Sequence, residues 1–179
     1  MKPARLLLAA LVLAMAGPAL AESRRCLVVG VSDGDTITAR CGEPGSYEQI
    51  RVRLAGIDAP ERRQAYGERA RQHLAALVFQ RWAALECGKV DRYGRSVCLV
   101  RVAPASRSDG APALDVGLSM VSAGMAWWYR AYAREQAPED RGRYEAAELA
   151  AQAQRQACGP MLARCRRGSG GGNTDARAR

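Results

Sequence analysis

In the stretch VSDGDTITARCGEPGSYEQIRVRLAGIDAPE, the carboxylates of Asp35, Asp58 and Glu61 are set apart by strand-like sequence, with Arg53 among them. Carboxylate oxygens are hard ligands, so Asp35 and Asp58, at the ends of separate strands, would suit Ca²⁺ or Mg²⁺ on one rim of a small barrel. Glu61, just past Pro60, can stand near such an ion and act as a general base toward water. Arg53 projects from the polar face of the strand that leads to Asp58, and Arg95 closes the turn DRYGR. Two guanidiniums so placed can grip phosphate oxygens in bidentate fashion and stabilise charge that develops in a transition state. Each piece also has a plainer account. Asp33-Gly34-Asp35 can be turn chemistry alone, Asp58 to Glu61 a helix start, and the arginines solvated surface charge.

The elements that must position these groups follow from hydrophobic periodicity. CLVVGVS and TITARC are short strands joined by Asp33-Gly34, and QIRVRLAGI alternates, with Ile50, Val52 and Leu54 on one face and Arg51 and Arg53 on the other. In GERARQHLAALVFQRW, residues Ala70, Leu74, Leu77 and Val78 recur at helical spacing. AALECGKV and SVCLVRV read as two more strands around DRYGR. LDVGLSMVSAGMAW is a short helix ending near Gly124, and after the proline-marked loop REQAPEDRG a third, alanine-rich helix is expected over RYEAAELAAQAQRQACG. Three strands, a helix, two strands and two helices predict a mixed α+β fold: a five-stranded antiparallel barrel of the oligonucleotide-binding (OB) type with three helices.

The chain opens with Lys2 and Arg5, an apolar run from Leu6 to Ala16, and a small-residue cleavage site at Ala19-Leu20-Ala21. That pattern predicts a signal peptide over 1–21, a domain over 22–165, and a disordered basic, glycine-rich tail over 166–179. The mature protein is expected in the periplasm or outside the cell, a monomer with no membrane segment. The formal charge of +9 suits a polyanionic partner, although charge alone does not choose between nucleic acid and an anionic membrane surface. The six cysteines, Cys26, Cys41, Cys87, Cys98, Cys158 and Cys165, all follow the signal segment and read as disulfide staples. If Asp33-Gly34 is a two-residue hairpin turn, Ser32 faces Asp35, and the same register sets Cys26 opposite Cys41. Cys87 and Cys98 bracket the second hairpin, and Cys158 and Cys165 remain as neighbours.

The motifs VSDGDTI, RVRLAGIDAPE, YGERAR, DRYGRS and SAGMAW, in this order and at these spacings, resemble those of the staphylococcal nuclease (thermonuclease) family. The resemblance covers most of the mature chain, from about Val28 to the third helix. It implies a Ca²⁺-dependent phosphodiesterase acting on DNA and RNA, with products carrying 3′-phosphates and 5′-hydroxyls. Matched motif by motif, Asp35 and Asp58 resemble the metal carboxylates and Ala59 the residue that supplies a backbone carbonyl to the ion. Glu61 resembles the base, and Arg53 and Arg95 the pair that grips phosphate. Arg92 and Tyr93 fall where the family contacts a terminal phosphate. Three positions depart from the pattern. Ala59 replaces a threonine found in some members, Gly117 an asparagine that ties a helix to neighbouring backbone, and the last helix lacks a nearby tryptophan, for which Cys158 and Cys165 would substitute.

AWWYRAY adds aromatic residues beside Arg130. Trp127, Trp128, Tyr129 and Tyr132 can stack on bases, or the tryptophans are core and one tyrosine faces substrate; Tyr132, then Tyr129, are the candidates for base contact. His73, the single histidine, lies within the first helix and excludes a two-histidine mechanism. The competing class is a catalytically inactive OB-fold module that holds nucleic acid without cutting it. Retention of Asp35, Asp58 and Glu61 argues against that, since acidic groups beside a phosphate weaken pure binding.

Overall fold

The computed structural model describes residues 23–107 and 110–154. The expected signal segment and tail, and Cys158 and Cys165, lie outside these residues. Five strands build the barrel: β1 (Ser23–Val31), β2 (Thr36–Cys41), β3 (Glu48–Leu54), β5 (Trp82–Val90) and β6 (Ser96–Val102). Alternation decides which side each residue takes. Cys26 and Val28, Ile37 and Ala39, Val52 and Leu54, Ala83 and Leu85, and Val100 and Val102 all point inward and are buried. The neighbour order is β3-β2-β1-β5-β6, with β3 returning to β6 to close the ring.

The closing pair is parallel, with Val52 beside Ser96 and Leu54 beside Cys98. An all-antiparallel barrel was expected, but an odd ring cannot alternate direction at every step, so one seam must be parallel. The other correction concerns the first hairpin. Cys26 does face Cys41, but a bulge between Val28 and Gly30 shifts the register, so that Val31 faces Ile37. Ser32 N–H therefore donates to the Thr36 carbonyl at 2.9 Å, and Asp35 sits in the turn rather than opposite Ser32. Disulfides join Cys26 to Cys41 and Cys87 to Cys98, each across the hairpin where the sequence placed it.

Two-residue strands fasten the rest. β4 (Ile57–Asp58) pairs with β8 (Trp127–Trp128), and β7 (Leu114–Asp115) extends β6. Helix α1 (Gly67–Val78) buries Ala70, Leu74 and Val78 at four-residue spacing. Helix α2 (Val116–Ser122) is capped by the Asp115 side chain, which accepts from Leu118 N–H at 3.0 Å. Helix α3 (Pro138–Ala153) begins earlier than expected. Pro138 opens the helix instead of ending a loop, as proline does at a first turn, with Glu139 and Asp140 beside the helix dipole. The Gly117 position also has a local reason. A Cβ there would lie 2.7 Å from the Tyr144 hydroxyl, which donates to Asp115 at 2.9 Å. The α2–α3 fastening is thus a tyrosine–aspartate bond. Trp127 and Trp128 are buried, as core residues.

Candidate active site

Four pieces of chain meet at one rim: the turn 33–35, the end of β3, the segment after β4, and the turn 91–95. Asp35 is held from both sides of its peptide. Its N–H donates to the Asp33 carboxylate at 3.1 Å, and its carbonyl accepts from Leu54 N–H at 2.8 Å. Gly34 allows this turn to lie close against the neighbouring segments, since a Cβ there would come within 2.7 Å of the methyl groups of both Ala59 and Ala70. Gly67 does the same for the loop that carries Glu61, because a Cβ at Gly67 would run into the Glu61 carbonyl oxygen.

A continuous chain of side chains crosses the rim. Arg53 Nη1 donates to Asp35 Oδ2 at 2.5 Å, and Nη2 donates to Asp58 Oδ1 at 2.8 Å. Thr36 Oγ1 donates to Asp35 Oδ1 at 2.9 Å and accepts from Arg95 Nη1 at 3.1 Å. Arg95 Nε and Nη2 each lie 2.8 Å from Asp91 Oδ2. Thus Asp58, Arg53, Asp35, Thr36, Arg95 and Asp91 form one string in which each cation lies beside a carboxylate. Burial pushes the Asp35 carboxyl up to about 7, with Arg53 pulling the other way and Asp33 and Asp58 adding to the rise. Burial would also raise Asp91, but N–H groups of Arg95 and Tyr93 outweigh it and hold that carboxyl below its usual range. Thr36 and Asp91 were missed by sequence reasoning. Asp91 carries the signal of a turn opener, Asp-x-x-Gly, whose Oδ1 accepts from Tyr93 and Arg95 N–H at 2.9 Å.

The expectation of Ca²⁺ is not met. Among the described residues, no three of His, Cys, Asp and Glu gather as a metal-holding group, whereas Ca²⁺ takes about six to eight oxygen ligands. Asp35 and Asp58 do converge, but on the Arg53 guanidinium, which supplies between them the positive charge that an ion would have supplied. Glu61 does not join them. Its N–H donates to Gln64 Oε1 at 2.8 Å, and the residue faces solvent. Ala59 is buried, its methyl under the turn at Gly34.

The remaining candidates fall into two groups. Tyr93 is exposed, with the Arg92 and Arg95 guanidiniums 4.8 and 5.4 Å from its ring centre. Tyr129 and Tyr132 lean on each other with centroids 5.2 Å apart, and Lys89 Nζ sits 4.0 Å over the Tyr132 ring. Lys89 was not expected there. It ties this pair to β5 next to the turn 91–95, and it also pairs with Glu135 at 2.6 Å. His73 is half-buried on α1, and burial lowers its pKa.

Comparison with known proteins gives the family. The family model described as Staphylococcal nuclease homologue matches residues 51–158. The chain belongs to that family. Its relatives include Protein ParB of Escherichia coli, 45% identical over 72% of this chain and 70% of its own length. Micrococcal nuclease of Shigella flexneri is 44% identical over 79% of this chain and 76% of its own. An uncharacterized endonuclease of Haemophilus influenzae is 39% identical over 64% and 57%. Membership of the staphylococcal nuclease homologue family supports a nuclease-like, hydrolytic activity. Among the described residues, no helix is long and apolar enough to cross a membrane.

Proposed function

We propose that this protein is a secreted or periplasmic nuclease that hydrolyses phosphodiester bonds of DNA and RNA, leaving 3′-phosphate and 5′-hydroxyl ends. The observation that carries this reading is the pair of arginines locked on one rim. Arg53 is fixed by two aspartates and Arg95 by Asp91 and Thr36, so neither must be ordered when substrate arrives. Each keeps N–H groups beyond those engaged within the rim, since a guanidinium carries five donors. These would take the non-bridging phosphate oxygens and stabilise the charge that grows on them.

Glu61, exposed on the loop after Asp58, takes a proton from the attacking water. The water oxygen bonds to phosphorus, the bond from phosphorus to the 5′ oxygen breaks, and that oxygen leaves with a proton from solvent. Arg92 and Tyr93 receive a terminal phosphate, and Tyr132 with Tyr129 a base. A test replaces Glu61 with Gln and follows single-stranded DNA on a gel alongside binding by anisotropy. Cleavage is expected to fall by about 10²-fold or more, the range of a lost general base, with binding retained. Cleavage at the wild-type rate would remove Glu61 from this role.

A further inference from the structure

We propose that Gln64 is a positioning residue for cleavage: it clamps the backbone of Glu61 to helix α1 and so fixes where the Glu61 carboxylate emerges. This role rests on the nuclease reading, in which Glu61 takes the proton from water.

Glu61 stands on the short connection 59–66 between β4 and α1. Behind it Ala59 and Pro60 are buried, and the proline ring fixes φ at position 60. Ahead of it the chain folds back in a turn. Gln64 N–H donates to the Glu61 carbonyl at 2.7 Å, while Gln64 Oε1 accepts from Glu61 N–H at 2.8 Å. This reciprocal pair has the form of a capping box, with its two members three residues apart. The Gln64 carbonyl then accepts from Gly67 N–H at 3.0 Å, at the first residue of α1. Gln64 thus uses its side-chain oxygen, its amide and its carbonyl in one link from Glu61 to the helix. The helix is itself anchored, because Ala70, Leu74 and Val78 are buried. Arg62, inside the turn, leans the same way, with Nε 3.4 Å from Glu68 on α1.

Two features mark this link as more than a turn. Tyr66 adopts φ 66°, in the left-handed region, although it is not glycine. Such strain persists only where the surrounding chain enforces it, and it collects at functional segments. Here Gly67 enforces it, lying tight against the Glu61 carbonyl. The second feature is that solvation does not require the side-chain bond. Glu61 is exposed, so water can serve its N–H equally well, and the bond to Gln64 adds little to stability. What it adds is direction. With N–H and carbonyl both engaged, Glu61 moves through its side-chain torsions alone, and a base must be placed to within about an ångström to act.

The test compares Gln64→Met, which keeps the length and loses the acceptor, with Gln64→Glu, which keeps an oxygen there. Full oxidised chains cleave a fluorescent single-stranded DNA over a range of concentrations. Gln64→Met is expected to lower kcat on the order of ten-fold with KM unchanged, since a misplaced base costs rate and not affinity. Its Tm should fall by no more than about 5 °C, the loss of one exposed hydrogen bond. Gln64→Glu should recover kcat to within about three-fold of wild type. In a Glu61→Gln background, Gln64→Met should cause no further loss in single-turnover cleavage, because the group it positions is already gone. Wild-type kcat in Gln64→Met, a rise in KM alone, an equal loss in both backgrounds, or no recovery in Gln64→Glu would overturn the proposal. So would a Gln64→Met chain that does not fold, which would make the bond structural. In each of these cases wild-type cleavage, and its loss in Glu61→Gln, leave the nuclease reading in place. A wild-type chain that leaves the DNA whole removes that reading and this role with it.

Discussion

Asp91 is a small residue with two tasks, and its two oxygens divide them. Oδ1 takes the N–H groups of Tyr93 and Arg95 and shapes the turn, while Oδ2 holds the Arg95 guanidinium. An asparagine keeps an oxygen for the turn and loses the ion pair. Asp91→Asn is therefore expected to cost about 1 kcal/mol at neutral pH in urea unfolding, since the pair is mostly covered but near the surface. Its pH dependence has a definite sign. The Asp91 carboxyl is held below its ordinary value of 3.8, so its contribution is present above that pH and fades as pH falls through the lower folded value. The stability gap between wild type and variant should narrow in acid; a gap that widened below pH 4 would contradict the assignment. The same substitution should slow cleavage, because Arg95 then keeps only Thr36 to orient it.

Among the elements, the first hairpin carries the turn with Asp35, and the Cys26–Cys41 disulfide closes its open end. The bridge spans 15 residues of sequence, for which the chain-entropy estimate is about 3 kcal/mol. Replacing both cysteines with alanine should lower unfolding free energy by that order in urea titrations, with the Cys87–Cys98 bridge intact. A loss under about 0.5 kcal/mol would mean the hairpin is held by its strand pairing alone. This hairpin also shows how far local pattern reaches. Alternation and cysteine position gave the correct pairing of Cys26 with Cys41, yet the bulge between Val28 and Gly30 left no comparable trace in the periodicity. One extra residue moved Asp35 from a strand end into the turn, where its carboxylate meets Arg53. Likewise Pro138 read as a loop marker, because proline breaks helices and begins them, and only the packed α3 distinguishes the two.

At the scale of the whole molecule, the tryptophans join barrel to helices. Trp127 and Trp128 form β8 on β4, and the Trp128 Nε1–H donates to Gln136 at 2.7 Å just ahead of α3. Barrel and helices should then unfold together. Far-UV circular dichroism and tryptophan fluorescence are expected to give coincident urea transitions; a fluorescence change that precedes the loss of strand signal would separate the helical layer as its own unit. The sequence by itself determined the five strands, the three helices, two disulfides, and the family to which they belong. Those follow from periodicity, turn residues and motif spacing, which act over a few neighbours in the chain. Only the tertiary structure decided what the carboxylates face. Asp35, Asp58 and Glu61 are close enough in sequence to suggest one ion. Yet β2–β3 pairing brings Arg53 opposite Thr36, and its guanidinium lies between the two aspartates while Glu61 turns to solvent. The partner of a buried charge is set by which strands lie side by side, and no spacing along one strand contains that information.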